Sequence, residues 1–312
     1  MTAAPVRHVL VTGGAGFIGA HVVRDLRARG TGVTVLDDLS TGRRENVPAG
    51  VRLVVGDVRD PDATREALAG ADAVLHLAAK VSVRGSFDQF YADVETNVLG
   101  TANVLRCLDP VGVRRFVLAS SMAVYAESGP DVTVTEDHPT KPLSPYGAGK
   151  LAAEMLCGHV LGQMGIGFTA LRYFNTFGAG QRFTPYVGVI TIFVTRLLRG
   201  EAPSIFGDGN QRRDFVHVDD IAAGTVAALD GPPGTYNLGT GTGTTVRELA
   251  DLLVARIRPG TAVTQAPAQE GELRWSVADI SAASAALGYR PRRSLGADLD
   301  PVIGYIRTQG TT

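Results

Sequence analysis

The chain has 312 residues, of which 45% are hydrophobic and 20% are charged, and its net charge is −1. This composition argues against a disordered chain, against a basic surface for nucleic acid and against an acidic tail. No run of about 18 or more apolar residues occurs, and residues 1–7 lack a signal-peptide pattern, so neither membrane spanning nor secretion is predicted. Cys107 and Cys157 each lie in an apolar helical pattern, which predicts buried thiols in a reducing, cytoplasmic compartment. The expected partner is a small molecule.

From His8 to about Phe174, short β-branched runs alternate with longer amphipathic stretches. In chain order the segments are HVLVTG, GAHVVRDLRARG, GVTVLDD, RLVVGD, ATREALAG, AVLHLAA, NVLGTANVLRCL, RRFVLASS and KLAAEMLCGHV. A repeat of strand and helix predicts an α/β fold, a doubly wound parallel sheet of Rossmann-like type. The length leaves room for a second, smaller α/β lobe that binds substrate.

After Asn175 the pattern changes to a glycine- and proline-rich segment, a helix-like run ending in LLRG and a strand-like stretch, PSIFGDGNQRRDFVHV. The sequence VHVDDIAAGTVAAL then predicts a strand and a helix with Asp219 or Asp220 as its N-cap, and TYNLG predicts a further strand. We therefore expect a dinucleotide-binding domain over residues 1–175, with a return to it around 215–240. An interleaved substrate-binding lobe is expected over 176–312.

The first strand-to-helix turn carries glycines three residues apart, at Gly13, Gly16 and Gly19. Glycine allows the tight turn, lets backbone N–H groups approach a pyrophosphate at the helix N-terminus, and lets the helix pack on the strand. An ordinary glycine-rich turn is the alternative. Asp37, at the end of the next strand, weakens that alternative because a carboxylate there binds the ribose hydroxyls of a dinucleotide.

Asp37 and Asp38 favour NAD over NADP, because two carboxylates would repel a 2′-phosphate. Arg43 and Arg44 lie close enough in sequence to keep NADP as an alternative. Asp57 and the valine after it follow the third strand, where an adenine could be capped.

A second signal is the spacing of Tyr146 and Lys150, with Ser120 and Ser121 at the end of an earlier strand. Four residues apart on a helix, the tyrosine and lysine lie on one face about one turn apart. A nearby ammonium is expected to lower the pKa of the phenol from about 10 towards the range of a general base. Tyr-x-x-x-Lys alone is common by chance, but here it follows a dinucleotide-binding motif.

These segments together resemble the extended short-chain dehydrogenase/reductase family, and within it the NAD-dependent nucleotide-sugar epimerases of the UDP-glucose 4-epimerase type. The resemblance covers nearly the whole chain and rests on GGAGFIG, HLAAKVSV, SSMAVYA, SPYGAGK, LRYFNTFG, GDGNQRRDF and SVADI. It implies NAD as cofactor, a nucleotide sugar as substrate, and a homodimer formed by the helices around 97–107 and 146–160.

Residue roles follow from the resemblance by position. Tyr146 would be the base, Lys150 its electrostatic partner and ribose anchor, and Ser121 the hydroxyl that bridges Tyr146 and the sugar. Thr96 and Phe174 would lie near the nicotinamide, while the rest of the NAD site would comprise Gly13, Gly16, Phe17, Ile18, Gly19, Asp37, Asp38, Asp57, Val58, Leu77, Ala78, Ala79, Lys80 and Ser120. The nucleotide sugar would be held by Asn175, Ser204, Phe206, Arg213 and Arg274.

Several of these residues have structural alternatives. Asn175 could cap a turn, Phe206 could be core, and Arg213 could pair with Asp214 on a solvated loop, although a guanidinium suits phosphate oxygens well. His76 is expected to be a packed, hydrogen-bonded histidine rather than a catalyst, and His217 is expected to be similar. No His, Cys or carboxylate cluster has the spacing of metal ligands, so no metal site is predicted.

Met122 and Ala123 distinguish between the reactions of this family. Sugar 4,6-dehydratases have Asp then Glu at these two positions, and nucleotide-glucuronate decarboxylases have Glu at the second. Neither Met122 nor Ala123 can transfer a proton, which disfavours both reactions. Reversible oxidation at one carbon, as in 4-epimerisation, remains, most simply between UDP-glucose and UDP-galactose.

Two further positions bear on the substrate. Gln269 stands where these epimerases often have a diphosphate-binding arginine, so Arg274 is expected to carry more of that role. Ser276 aligns with a gate that excludes N-acetylated sugars when it is bulky, so UDP-N-acetylhexosamines are expected to fit, unless Trp275 closes the space. Uronic sugars also remain open.

Two other functions remain possible. A nucleotide-sugar 4-ketoreductase, for example on a dTDP-deoxysugar, would use the same residues with exchangeable NADH, and a dTDP-sugar epimerase would differ only in the base. A non-enzymatic dinucleotide-binding protein would keep the fold alone, but the intact Ser121, Tyr146 and Lys150 argue against it.

Overall fold

A computed structural model describes residues 5–109, 112–184, 188–268, 271 and 273–309. Its strands are β1 His8–Thr12, β2 Gly32–Asp37, β3 Arg52–Val55, β4 Ala73–His76, β5 Arg115–Ser121, β6 Gly167–Tyr173, β7 Asn175–Phe177, β8 Ser204–Phe206, β9 Arg212–His217, β10 Gly234–Leu238, β11 Gly243–Thr245, β12 Thr264–Ala266 and β13 Trp275–Ser276. The α-helices are α1 Phe17–Ala28, α2 Pro61–Leu68, α3 Gly85–Asp88, α4 Phe90–Val94, α5 Thr101–Arg106, α6 Pro145–Met164, α7 Val189–Leu198, α8 Val218–Ala227, α9 Val246–Ile257, α10 Ser281–Leu287 and α11 Leu295–Thr308.

Seven strands form one parallel sheet in the order β10-β6-β5-β4-β1-β2-β3. The predicted doubly wound sheet is therefore confirmed. The strand order reverses beside β1, because the chain runs outward to β3 and then crosses back to place β4 on the other side of β1. Ligands of such sheets bind at this switch point, beyond the carboxyl ends of the strands.

Both faces of the sheet are covered by helices, as a parallel sheet requires. Val9 and Val11 of β1 pack on the side of α1, α8 and α10, while Leu10 packs on the side of α2, α5 and α6. All seven residues of β5 are buried. Among the residues that the structure describes, no helix is both long and apolar enough to cross a membrane.

Smaller sheets lie beyond the central sheet. Strand β9 pairs with β7, β11 and β13, while β8 pairs with β12, and α7, α9 and α11 enclose a third core. The chain returns to the central sheet at β10, which pairs with β6. The proposed division at residue 175 stays a prediction.

Asp214 of β9 links the smaller sheets to the rest of the chain through hydrogen bonds. It is fully buried, and its carboxylate accepts hydrogen bonds from the backbone of Thr240, Gly241 and Ala278, and from the Thr240 hydroxyl. The groups that donate to this carboxylate belong to the loop after β10 and to the segment after β13. One carboxylate therefore links strand β9 to two other parts of the chain.

Two local predictions were wrong in detail. Helix α8 is capped by His217, whose Nδ1 accepts from the Asp219 N–H, rather than by Asp219 or Asp220. Both carboxylates lie in the first helical turn instead, where they complement the helix dipole. The segment predicted as one strand-like stretch forms β8 and β9, separated by a turn at Gly207 and Gly209, which have φ values of 77° and 81°.

Candidate active site

The glycine loop between β1 and α1 has the geometry that close packing requires. Gly13 has a φ of 70°, and a Cβ there would lie 2.8 Å from the backbone nitrogen of Ala78. A Cβ on Gly19 would lie 2.1 Å from the Gly13 carbonyl oxygen. The turn therefore fits only glycine at these two positions, and it brings the loop against the segment after β4.

The N-terminus of α1 is open to an anion. Its N-cap is Gly16, which supplies no side-chain cap, and its first turn contains no acidic residue. Phe17 and Ile18 begin the helix, so their N–H groups belong to the first turn, which has no intrahelical acceptors. Free amides and the positive end of the helix dipole suit a pyrophosphate.

Asp37 ends β2 beside this loop. Its carboxylate accepts from the Ala15 N–H at 2.9 Å and from the Leu39 N–H at 2.9 Å, and burial raises its pKa. Asp38 is exposed and accepts from Ser40. The carboxylate of Asp37 is thus fixed at the switch-point crevice, where a dinucleotide's ribose would lie.

The other predicted cofactor residues follow β3 and β4 at the same edge of the sheet. Asp57 is bound by the Arg59 guanidinium, which lowers its pKa, and Val58 is buried. The segment Leu77, Ala78, Ala79 and Lys80 is held by Asn97, which bonds the N–H and the carbonyl of Lys80. Thr96 lies on a π-helical segment, Glu95–Gly100, outside the lining of the cavity described below. A dinucleotide would fit against three features together: the glycine loop, Asp37 and the segments that follow β3 and β4.

Tyr146 and Lys150 lie in the first turns of α6, whose start is well specified. Ser144 is the N-cap and accepts from the Gly147 N–H, and Pro145 occupies the first helical position. Tyr146 lies next to Ser121, which ends β5, and the Ser121 side chain is close enough to lower the pKa of the phenol. Lys150 donates from Nζ to the Ala119 carbonyl oxygen at 3.0 Å. The structure therefore brings the three predicted catalytic side chains together.

The expected lowering of the tyrosine pKa is wrong for this structure. Burial raises the pKa of Tyr146 to about 12, and the Asp93 carboxylate adds to the rise while the Ser121 side chain opposes it. Burial also lowers the pKa of Lys150 to about 8. At each of the two groups, removal of solvent outweighs the opposing effects of its neighbours. Deprotonation of Tyr146 at neutral pH therefore requires a further positive charge beside it.

Ser120 has a different role from its neighbour. Its hydroxyl donates to Glu154, which is one helical turn after Lys150 and forms a buried ion pair with Arg172 of β6, at 2.7 Å. Arg172 also lies over the Tyr125 ring, with 4.7 Å from Cζ to the centroid. This cluster fixes α6 against β5 and β6 behind the catalytic residues.

A cavity of about 340 Å³ opens beside Ser121 and Tyr146. Five predicted residues line it, namely Phe174, Asn175, Ser204, Phe206 and Arg213, together with Met122 and Ala123. Phe206 is thus at a cavity wall rather than wholly in the core. Arg213 and Asp214 are buried on β9, so the alternative of a pair on a solvated loop is wrong.

Arg274 and Ser276 lie outside the lining of the cavity. The Arg274 guanidinium pairs with Asp208 and is half exposed, whereas Ser276 is 1% exposed. The described part of the cavity wall therefore gives no support to a diphosphate contact from Arg274 or to a gate at Ser276. Gln269 lies outside the described residues.

The two histidines are packed, as predicted. His76 is 1% exposed and bonds Thr12 through Nδ1 and Thr101 through Nε2, and burial lowers its pKa to about 3. His217 caps α8. Neither lies in the cavity lining.

Sequence reasoning missed Arg84, Glu154 and Arg172. Arg84 lines the cavity, and its guanidinium lies over the Phe206 ring, 4.6 Å from Cζ to the centroid. Only the position of Glu154 four residues after Lys150 could have indicated its role. Nothing local indicates that Arg84, in the loop after β4, reaches across to β8.

A doubly wound sheet with a glycine loop at its switch point and a Ser-Tyr-Lys set beside a cavity defines a dinucleotide-dependent enzyme. The chain belongs to the NAD dependent epimerase/dehydratase family, whose model matches residues 9–239. It is 35% identical over 309 residues to the UDP-glucose 4-epimerase of Mycolicibacterium smegmatis, covering 96% of this chain and 98% of that one.

Two solved structures are similar over nearly their whole length. The UDP-glucose 4-epimerase of Thermotoga maritima with UDP-glucose has 35% identity and a TM-score of 0.92, covering 97% of this chain and 99% of that one. The UDP-glucose 4-epimerase of Thermus thermophilus with NAD has 37% identity and a TM-score of 0.90, with 96% and 99% covered.

Proposed function

We propose that the chain epimerises a nucleotide sugar at C4 with NAD, interconverting UDP-glucose and UDP-galactose through a transient 4-keto sugar. The observation that carries this proposal is Tyr146 at the cavity, next to Ser121 and backed by Lys150, with no Asp, Glu, His or Lys among the described residues of the lining. Met122 and Ala123 line the cavity where an acid and a base for elimination would be needed.

Each protein group has a defined task in this reaction. Ser121 holds the sugar 4-hydroxyl against Tyr146, which takes its proton and later returns one. Lys150, held by the Ala119 carbonyl, favours the phenolate. NAD would be held by the glycine loop and Asp37 and would supply reversible hydride transfer at C4, and its positive charge would join that of Lys150 in favouring the phenolate. The cavity has an apolar wall, formed by Val83, Met122, Leu143 and Phe174. This wall offers few directional hydrogen bonds, so the keto sugar can turn.

The test is to incubate the purified protein with UDP-glucose, UDP-galactose, UDP-N-acetylglucosamine, a UDP-uronic acid and dTDP-glucose, and to measure epimer ratios without added cofactor. We expect equilibration of the two UDP-hexoses. Turnover that consumes stoichiometric NADH would instead identify a 4-ketoreductase, and turnover of the dTDP-sugar alone would identify a different base.

Tyr146→Phe removes only the phenolic oxygen and should abolish turnover while the fold and bound NAD remain. Tyr305→Phe on α11, outside the cavity lining, is the matched control. Unchanged turnover in Tyr146→Phe would refute the assignment of the base.

We also propose a homodimer formed through α4, the π-helical segment and α6. Phe90, Tyr91, Leu99 and Met155 are 57%, 69%, 57% and 59% exposed on these elements, and burial of such side chains against a second copy is favourable. Light scattering should show a dimer that Met155→Glu dissociates, while Val132→Glu, at a 45% exposed position elsewhere, leaves it intact. A monomeric wild type at micromolar concentration would refute this proposal.

A cytoplasmic location is part of the same proposal. Cys107 and Cys157 are free thiols, Cys157 is buried, and burial raises its pKa to about 12. Free thiols suit a reducing compartment. Fractionation of cells that express the chain would test this location.

A further inference from the structure

A buried series of hydrogen bonds runs through His76, the last residue of β4. The Ala78 N–H donates to the Thr12 hydroxyl at 3.1 Å, and that hydroxyl lies 2.7 Å from His76 Nδ1. Across the ring, Nε2 lies 3.0 Å from the Thr101 hydroxyl, which donates to the Asn97 carbonyl oxygen at 2.7 Å. Thr12, His76, Thr101 and Asn97 are each at most 2% exposed. These four residues form a histidine bridge from the ends of β1 and β4 to the π-helical segment and α5.

The partners of the two hydroxyl groups fix the tautomer of His76. A threonine hydroxyl has one hydrogen to donate. The Thr101 hydroxyl gives its hydrogen to the Asn97 carbonyl, so it accepts from the ring, and His76 Nε2 carries the proton. Burial, aided by the positive charge of Lys150, lowers the pKa of His76 to about 3, so the ring is neutral at physiological pH. A neutral imidazole has a single N–H, so Nδ1 accepts and the Thr12 hydroxyl donates to it.

The histidine bridge also fixes segment 77–80, which the sequence predicts to line NAD. The Ala78 N–H donates to the Thr12 hydroxyl. The Lys80 N–H donates to the Asn97 side-chain oxygen at 2.9 Å, and the Asn97 amide donates to the Lys80 carbonyl oxygen at 3.0 Å. Because Thr12 and Asn97 are the two ends of the bridge, the bridge connects the groups that hold both halves of the segment.

We propose that His76, as the neutral Nε2–H imidazole, is a positioning residue that holds segment 77–80 in place for NAD before NAD binds. This inference goes beyond the proposed function, because it concerns the cofactor site and holds for whichever nucleotide sugar is turned over. A protein that must first order the segment that binds a ligand binds it more weakly, since the cost of ordering is subtracted from the binding free energy. Loss of the bridge should therefore weaken NAD binding by the folded protein.

Thr101→Val tests the bridge, because it removes the hydroxyl and keeps the branched shape of the side chain. We expect the dissociation constant for NAD, measured by calorimetry on the full-length protein freed of NAD, to rise about 10-fold. That factor is ~1.4 kcal/mol, within the range for one lost buried hydrogen bond. Thr101→Ser keeps the hydroxyl and should restore most of the affinity. In Thr101→Val, turnover should recover as the NAD concentration is raised, with the KM for the nucleotide sugar unchanged.

Thr195→Val on α7 is the matched control. Thr195 is 4% exposed, and its hydroxyl donates to the Thr191 carbonyl oxygen at 2.8 Å, four residues earlier, as the Thr101 hydroxyl does to Asn97. Helix α7 belongs to the third core, away from the glycine loop. The control should leave NAD affinity unchanged. A Thr101→Val variant with wild-type NAD affinity overturns the inference, since any loss in its melting temperature would then show a role in stability alone.

Nitrogen-15 NMR of protein labelled at its six histidines tests the tautomer in the wild type. The signal absent from His76→Gln identifies His76, and Thr101→Val provides a second assignment because it removes the partner of Nε2. We expect a neutral Nε2–H ring whose nitrogen shifts stay constant between about pH 5 and pH 8, where an ordinary histidine titrates. An Nδ1–H ring, or a ring that titrates in this range, overturns the inference.

Steady-state kinetics separate this inference from the proposed function. A wild type that binds NAD but epimerises no UDP-sugar refutes the proposed function and leaves the affinity test of the histidine bridge intact. A wild type that epimerises UDP-sugars, with a Thr101→Val variant of unchanged NAD affinity, refutes the inference alone.

Discussion

Lys150→Met is expected to make the folded chain more stable at neutral pH while it abolishes turnover. Burial lowers the pKa of Lys150 from 10.5 to about 8. One pKa unit corresponds to ~1.4 kcal/mol, so the buried ammonium opposes folding by about 3 kcal/mol at pH 7.

The sign of the pH dependence of stability follows from the downward shift of the Lys150 pKa. Between about pH 8 and pH 10.5 the unfolded chain binds the proton that the folded chain has lost, so stability rises with pH across this window. The penalty for the buried ammonium is fully present below the folded pKa of about 8 and is gone above the unfolded pKa of 10.5. The advantage of Lys150→Met over the wild type should therefore shrink by about 2 kcal/mol from pH 7 to pH 9.5.

Urea unfolding at the two pH values measures this change. The substitution also leaves the Ala119 carbonyl without its donor, at a cost of ~1–3 kcal/mol, but that cost is present at both pH values and cancels in the comparison. Lys141→Met, at an exposed position, is the control. It removes an ammonium that water solvates in both the folded and the unfolded chain. A stability difference that does not change with pH would refute the reasoning.

Two further substitutions test the framework of the site. Gly19→Ala places a Cβ 2.1 Å from the Gly13 carbonyl, so it should lower the melting temperature and the NAD content of the purified protein. Gly162→Ala, in open space on α6, should raise stability by up to about 1 kcal/mol, and equal behaviour of the two alanine variants would contradict the packing argument. Glu154→Gln leaves Arg172 buried beside a neutral partner and should cost about 3–5 kcal/mol in urea unfolding; a loss below about 1 kcal/mol would show that water reaches the pair.

The parts of the fold that local rules govern were predictable from sequence. The glycine spacing at Gly13 and Gly19, the carboxylate of Asp37 after β2, and the alternation of strand and helix each depend on a few neighbouring residues. The meeting of Ser121 with Tyr146 followed from the same logic, since parallel strands place their carboxyl ends at one edge of the sheet.

What the sequence did not predict depends on the path of the chain in space. A spacing of four residues places Lys150 near Tyr146, but it does not reveal that Nζ is directed to Ala119 or that burial raises the pKa of the phenol. Arg84 lines the cavity and Arg274 does not, which depends on which loop enters the cavity. Residue spacing cannot give that information.

The return of the chain through β10 limits how this enzyme can change its substrate. Strand β10 completes the central sheet after the chain has already formed β7, β8 and β9, and Asp214 bonds the loop that follows β10. Recombination at one point therefore cannot exchange the substrate-binding part of the chain as a unit. A single crossover after β6 separates β6 from its edge partner β10, or separates Asp214 from the residues that donate hydrogen bonds to it. New specificity would arise by point substitution within the existing cavity wall, and Arg84, on a loop between strand and short helix, is a position where such a change leaves the sheet untouched.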